Sequence, residues 1–259
     1  MIFRQANPFL ESIERVTKGA EAMVGPHDGV GFETGIRAVE SVLLTQGKPY
    51  TIQERYLTEY MTMLVVAGEK ALKGSLIDIK VKDASGKVVE KPKPVEAAMS
   101  VSYLLGAPQE YTIELSLRKG APAKAVVSLL FFNVGTGQGM PFSAFRAAAK
   151  NLVKAAGTLS PQPGFFVQMG IATPKLSVHC EVRNVAKGDQ LVACTNASPQ
   201  LLGMEILDSK KTENSTLLNS KPGKAAVIPR EVKEAIASTA KNTTNKPLVV
   251  AVALRRARK

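Results

Sequence analysis

Read from the N-terminus, apolar positions first recur at helical spacing. Asn7 is placed to cap a helix that has Pro8 at its first position, and Phe9, Ile13, Val16, Ala20 and Met23 then share one face. The cluster Gly25-Pro26-His27-Asp28-Gly29 ends it. A second helix is predicted over 34–46, with Ile36, Val39 and Leu43 on one side and Gly47-Lys48-Pro49 as its stop. A third begins where Thr51 and Glu54 form a capping box. Its stripe runs through Leu57, Tyr60, Met61, Leu64, Val65, Gly68, Ala71 and Leu72. On this pattern residues 1–75 are a helical region suited to protein–protein contacts.

After Gly74 the period changes to two. Ile77, Ile79 and Val81 alternate with Asp78, Lys80 and Lys82, the signature of a half-buried strand, and Asp83-Ala84-Ser85-Gly86-Lys87 supplies its turn. Further strands are predicted at 97–105, 111–117, 125–134, 165–169, 176–182, 190–195, 202–207 and 248–254. Two helices interrupt them, over 141–155 and 229–241, each with a proline where a first helical turn tolerates one. The expected fold class is α+β: an N-terminal helical region, 1–75, followed by a mostly antiparallel β-rich region, 76–259, with two interspersed helices. No internal repeat is visible in the sequence.

Charge adds a direction to this outline. The chain carries a net charge of +12 over 259 residues. Residues 1–75 hold 8 Lys/Arg against 9 Asp/Glu, 76–160 hold 11 against 6, and 161–259 hold 15 against 7. A basic excess confined to the last two-thirds favours a polyanionic partner, nucleic acid before an anionic membrane surface. Aromatic residues make up 5% of the chain and tryptophan is absent, which favours the phosphate backbone over stacked bases.

Three basic elements stand out. On the 141–155 helix, Arg146, Lys150 and Lys154 recur every four residues with no acid among them, although like charges at that spacing repel. The 77–93 hairpin carries Lys80, Lys82 and Lys87, together with Lys91 and Lys93. The chain ends Arg255-Arg256-Ala257-Arg258-Lys259 straight after a strand, and this reads as a mobile basic tail tethered to a sheet edge.

Candidate chemistry is sparse. His27 and His179 are the two histidines, and neither sits in a context that marks a catalytic base. His179, Cys180 and Cys194 fall short of a zinc set, so neither a metal nor another cofactor is expected. If 187–188 is a hairpin turn, Cys180 and Cys194 face each other within disulfide range; without an export signal, reduced core thiols are the preferred reading. The Gly135-Thr136-Gly137-Gln138-Gly139 segment joins a strand to a helix, where backbone amides can meet a phosphate, but its spacing matches neither the dinucleotide fingerprint nor the P-loop.

These features imply a non-enzymatic nucleic-acid-binding structural protein, of coat or nucleocapsid type, acting as a homo-oligomer in the cytoplasm or a virion. Neither a signal peptide nor a transmembrane segment is read. Two alternatives use the same residues. One is a matrix-type protein on an anionic membrane surface. The other is an enzyme or binder of a phosphorylated small molecule at Gly135, Gly137 and Gly139.

Overall fold

The computed structural model describes residues 7–24, 30–56, 62–90, 94–95, 99–104, 109–135, 137–157, 159, 164–208, 215–239, 242 and 244–257. The protein is α+β, with an N-terminal helix and a mostly antiparallel β core. It divides into two compact units, Met1–Gly31 with Ser41–Gly139 and Phe32–Glu40 with Met140–Lys259. The division does not fall at residue 75.

The first unit opens with α1 (Pro8–Val24), where Asn7 Oδ1 accepts the amides of Phe9 and Leu10 as an N-cap does. Its strands are β1 (Val30–Phe32), β2 (Arg37–Thr45), β3 (Tyr50–Tyr56), β4 (Thr62–Gly68), β5 (Ile77–Lys82), β6 (Val88–Glu90), β7 (Pro94–Val95), β8 (Met99–Leu104), β9 (Gln109–Leu117), β10 (Lys124–Val134) and β11 (Gln138–Gly139). Part of β1 and the first half of β2 count with the second unit. A 3-10 turn spans Gly74–Leu76. One sheet runs β2-β10-β4-β8-β7 and the other β3-β9-β5-β6. Their facing sides enclose a core of Val42, Leu64, Ile79, Ile113, Leu115, Leu129 and neighbours. Phe9, Ile13, Val16 and Ala20 bury α1 on the outer face of β4 and β10. Each large apolar side chain buried this way contributes about 1.5–3 kcal/mol.

The second unit contains α2 (Phe142–Ala156), β12 (Phe166–Ala172), β13 (His179–Val185), β14 (Gln190–Thr195), β15 (Met204–Asp208), β16 (Ser215–Asn219), β17 (Ala226–Val227), β18 (Val232–Thr239) and β19 (Leu248–Arg255). Its sheets run β12-β19-β14-β17 and β13-β18-β15-β16 around Val182, Leu191, Met204, Ile206, Ala237 and Val252. Helix α2 packs against β14 and β19.

The two strand orders are the same. Counting eight main strands in each unit, and setting aside the short β7 with the β1 and β11 additions, the strands lie 1-8-3-6 in one sheet and 2-7-4-5 in the other. That is a two-sheet, double Greek-key jelly roll preceded by a helix, built twice.

The likeness extends to single hydrogen bonds. Phe9, Ser12, Ile13, Val16 and Ala20 are buried on α1, and Phe145, Ala148, Ala149, Leu152 and Ala156 are buried on α2 at the same intervals. On this alignment Arg15 corresponds to Asn151. The Arg15 guanidinium donates to the carbonyls of Gly68, Glu69 and Leu72, at and just after the end of β4. The Asn151 amide donates to those of Thr195 and Asn196, at the end of β14.

The next contact also repeats. Glu69 N–H donates to Val126 O at 2.9 Å, while Glu69 Oε1 accepts from Val126 N–H at 3.3 Å. Asn196 N–H donates to Val249 O at 3.0 Å, and Asn196 Oδ1 accepts from Val249 N–H at 2.9 Å. The strand registers agree, with Gly68 opposite Val127 and Thr195 opposite Val250. The chain is a tandem structural repeat, which the sequence reading did not find.

Several sequence expectations change. Residues 34–46 are not a helix but mostly β2, because Ala38, Val39, Val42 and Leu44 are buried on both faces and a doubly buried strand loses the alternation that marks it. Thr51 and Glu54 lie in β3, paired with Glu114 and Tyr111, instead of forming a capping box. Leu64, Val65 and Gly68 lie in the wholly buried β4; Leu57, Tyr60 and Met61 fall outside the described residues. Over 229–241, helix-favouring Lys, Glu and Ala form β18, because pairing with β13 and β15 overrides local propensity. The helix over 141–155 is present as α2.

One polar feature separates the repeats. Ser128 Oγ lies 2.7 Å from both Ser12 Oγ and Ser41 Oγ, all fully buried. In the second unit Ala148 and Ala251 stand at the positions of Ser12 and Ser128. Ser128→Ala should therefore cost about 1–3 kcal/mol in urea unfolding, because it strands the buried Ser41 hydroxyl, whereas Ser12 keeps its bond to Phe9 O at 2.9 Å. The triple change Ser12→Ala, Ser41→Ala and Ser128→Ala should recover most of that loss. A triple variant less stable than the single one would show that the hydroxyls themselves hold α1 to the sheet.

Candidate nucleic-acid interface

The basic residues singled out in the sequence meet different fates. Lys80 and Lys82 project from β5 toward Glu114 on β9, at 3.6 and 2.6 Å, and Asp78 takes Arg118 across the same strand pair at 2.8 Å. The Lys82 ammonium, against a smaller opposing effect of burial, holds the Glu114 carboxyl below the usual carboxylate range. Three cations thus share two carboxylates, which leaves this face close to neutral. Lys87 is exposed at the turn, where its backbone amide donates to Asp83 Oδ1. The Ser85 hydroxyl donates to the same oxygen and lowers the Asp83 pKa. Lys91 and Lys93 lie outside the described residues.

The C-terminal residues belong to the fold as far as Ala257. Arg256 donates to Asn184 O at 2.7 Å and to Asp189 Oδ2 at 2.6 Å, and Ala257 N–H donates to Asp189 Oδ1 at 2.9 Å. Arg255 is exposed and donates to Ala156 O, the last carbonyl of α2, at 3.4 Å. The reading of a free tail from 255 onward is corrected on these bonds, since a buried carboxylate at Asp189 requires the partners that the tail supplies. Arg258 and Lys259 fall outside the described residues.

Helix α2 keeps the cationic face read from its sequence. Its apolar stripe of Phe145, Ala148, Ala149 and Leu152 is fully buried, which turns Lys150 and Lys154 outward, both exposed. Arg146 is half-buried and has a partner of its own. Among the described residues no acid pairs with Lys150 or Lys154. On α1, at the equivalent place in the first unit, Glu14 stands at the position of Lys150, and Lys18, at that of Lys154, pairs with Glu14 at 2.6 Å. The same fold thus carries a mixed, self-paired helix in one repeat and an unbalanced cationic one in the other.

The glycine segment is a connector. Gly135 and Gly137 are exposed with φ of 85° and 103°, a backbone conformation that favours glycine, while Gly139 belongs to β11; Thr136 falls outside the described residues. His179 is exposed on β13, and the segment with His27 is not described. Cys180 and Cys194 are free and buried. They are not cross-strand neighbours, because β13 and β14 belong to different sheets: Cys180 faces Ala237 in register and Cys194 faces Ala251. Burial pushes both thiols up to about 12, so neither is a ready nucleophile.

Sequence reasoning missed Arg15 and Asn151 as helix-to-strand clamps, Asp189 as the anchor of the C-terminus, and the approach of Arg255 to α2. Each depends on partners about 40 to 100 positions away, which no local pattern encodes.

No helix among the described residues is long and apolar enough to cross a membrane. No family model and no curated protein matches the chain. Among solved structures, the tandem CBM51 modules of a family 98 glycoside hydrolase from Streptococcus pneumoniae are 11% identical, over 83% of this chain and 84% of that one, with a TM-score of 0.26. The PBSX exported protein XepA is 10% identical over 87% and 86%, with a TM-score of 0.27. A chain of the Sulfolobus Turreted Icosahedral Virus is 7% identical over 83% and 90%, with a TM-score of 0.23. At these values the jelly-roll assignment rests on this chain's own strand order and hydrogen bonds.

Proposed function

We propose that this chain is a non-enzymatic structural protein that binds the phosphate backbone of nucleic acid through the outer face of α2, as a self-assembling subunit of coat type. The observation that carries this reading is the contrast between the two repeats. A jelly roll of this kind is completed by a helix whose outer face is free to take any charge, as α1 demonstrates with its Glu14–Lys18 pair. Lys150 and Lys154 repel each other by a few tenths of a kcal/mol, and although Lys154 gains from its place in the last helical turn, Lys150 has no such compensation and no acid relieves the pair. A polyanion laid against them removes that repulsion and releases counterions.

The test is anisotropy of a labelled 20-nucleotide strand at low salt. Lys150→Glu with Lys154→Glu should weaken binding about tenfold or more, as two phosphate contacts are lost and two repulsions appear. Because both side chains are exposed, the thermal melt should stay within about 0.5 kcal/mol of the parent. A parent protein that shifts neither RNA nor DNA at low salt ends this reading. Salt-sensitive pelleting with acidic liposomes in its place would transfer the same residues to a membrane surface.

A further inference from the structure

We propose that the ligand of α2 is a single linear strand of phosphates that follows the helix axis and passes over its C-terminal end onto Arg255. This rests on the reading of α2 given above and narrows it to one strand geometry. Lys150 and Lys154 are one turn apart, a rise of about 6 Å along the axis. They form a line, whereas a compact phosphate is held by donors that converge on one point. A third cation stands at the C-terminal end of the same helix, because β19 delivers the exposed Arg255 guanidinium to the Ala156 carbonyl.

The C-terminal end of a helix is the wrong place for an anion. Its unpaired carbonyls carry partial negative charge that repels phosphate. Here the last carbonyl of α2 is covered by a cation, and the helix stops at Gly157, with φ of 70° and no side chain to obstruct a path. The fold does not call for arginine at this point. By the register that places Val126 with Val249, the first-unit counterpart of Arg255 is Phe132, which is buried. The cation is thus peculiar to the repeat whose helix is already cationic.

The experiment uses the full chain and a labelled 12-nucleotide thymidine strand, titrated at several salt concentrations. Competitors are the corresponding duplex, long-chain polyphosphate and inorganic phosphate. Arg255→Gln keeps a polar side chain on the surface but loses the charge. It should reduce the slope of log affinity against log salt by about 0.7, the value for one phosphate contact on a single strand. Arg255→Lys should keep the parent slope with an unchanged melt.

If Arg255→Gln keeps the full slope while Lys150→Glu with Lys154→Glu abolishes binding, the path over the helix end is wrong and the α2 site stands. If the parent protein binds no strand, both fail together. Duplex or polyphosphate that displaces the strand at lower phosphate concentration than unlabelled strand would overturn the single-strand assignment. Displacement by inorganic phosphate at equal phosphate concentration would overturn the linear one.

Discussion

Asp189→Ala is expected to destabilise the protein by about 3–5 kcal/mol, because it removes the acceptor that joins the β13–β14 turn to the end of the chain and leaves Arg256 without its anion. The carboxylate is 2% exposed. Its Oδ2 accepts Ala186 N–H at 2.9 Å and Arg256 at 2.6 Å, and its Oδ1 accepts Ala257 N–H at 2.9 Å. Its backbone joins the same knot, since Ile228 N–H donates to Asp189 O at 2.8 Å. The turn between β13 and β14 and the end of β19 therefore close on one side chain, and the segment after β17 joins through the backbone of the same residue.

The pH dependence of that loss follows from the same bonds. Burial works to raise the Asp189 pKa, but the amides of Ala257 and Ala186 with the Arg256 guanidinium outweigh it and bring it below its ordinary value. A carboxyl whose folded pKa is depressed contributes its full stability above the unfolded value of about 3.9 and loses it as pH falls through the lower folded value. The gap between parent and variant, measured by urea unfolding, should be constant from neutral pH to about 5 and close progressively below about 4. A gap that widens on acidification would mean that Asp189 is held protonated in the fold.

How much of this was legible in the sequence depends on where the information lies. The α+β class, α1, α2 and the β5 strand were readable because each has one buried and one exposed face, and the period survives. Strands β2 and β4 were not. Strands β10, β12, β14 and β19 are also buried on both faces and were still readable as short continuous apolar runs, whereas the apolar positions of β2 and β4 happen to fit helical spacing as well. Glu40 and Ser41 sit in β2 fully buried, so polarity there misreports exposure. The repeat was hidden for a related reason. What the two units share is spacing and hydrogen-bond role, and residue identity is free within those roles: Arg15 and Asn151 both donate, and Glu69 and Asn196 both accept.

The candidate site divides along the same line. Lys150 and Lys154 were found because an acid-free helical face is a local pattern. That Lys80 and Lys82 share Glu114 follows from the pairing of β5 with β9, whose partners lie over 30 positions apart in sequence. Basic residues clustered in sequence are therefore a poor guide to surface potential in a sheet, where the cross-strand neighbour decides.

Arg37→Met should be the other severe substitution, at about 3–5 kcal/mol, because Glu40 would be left buried with its charge and without its cation. Arg37 donates to Glu40 Oε2 from three positions earlier on β2, and Gln168 Nε2 donates to the same oxygen at 2.9 Å from β12. The Glu40 side chain is 0% exposed, so no water can replace the guanidinium without opening the sheet. The loss should belong to the stranded charge and not to the missing contact. Pairing Arg37→Met with Glu40→Leu removes both charges, and the double variant should regain at least half of the single variant's loss in chemical denaturation. Gln168 then loses its acceptor, so recovery should be incomplete until Gln168→Leu is added as well. A double variant as unstable as Arg37→Met alone would show instead that the ion pair sets the path of β2, and that its geometry rather than its charge balance is what the strand requires.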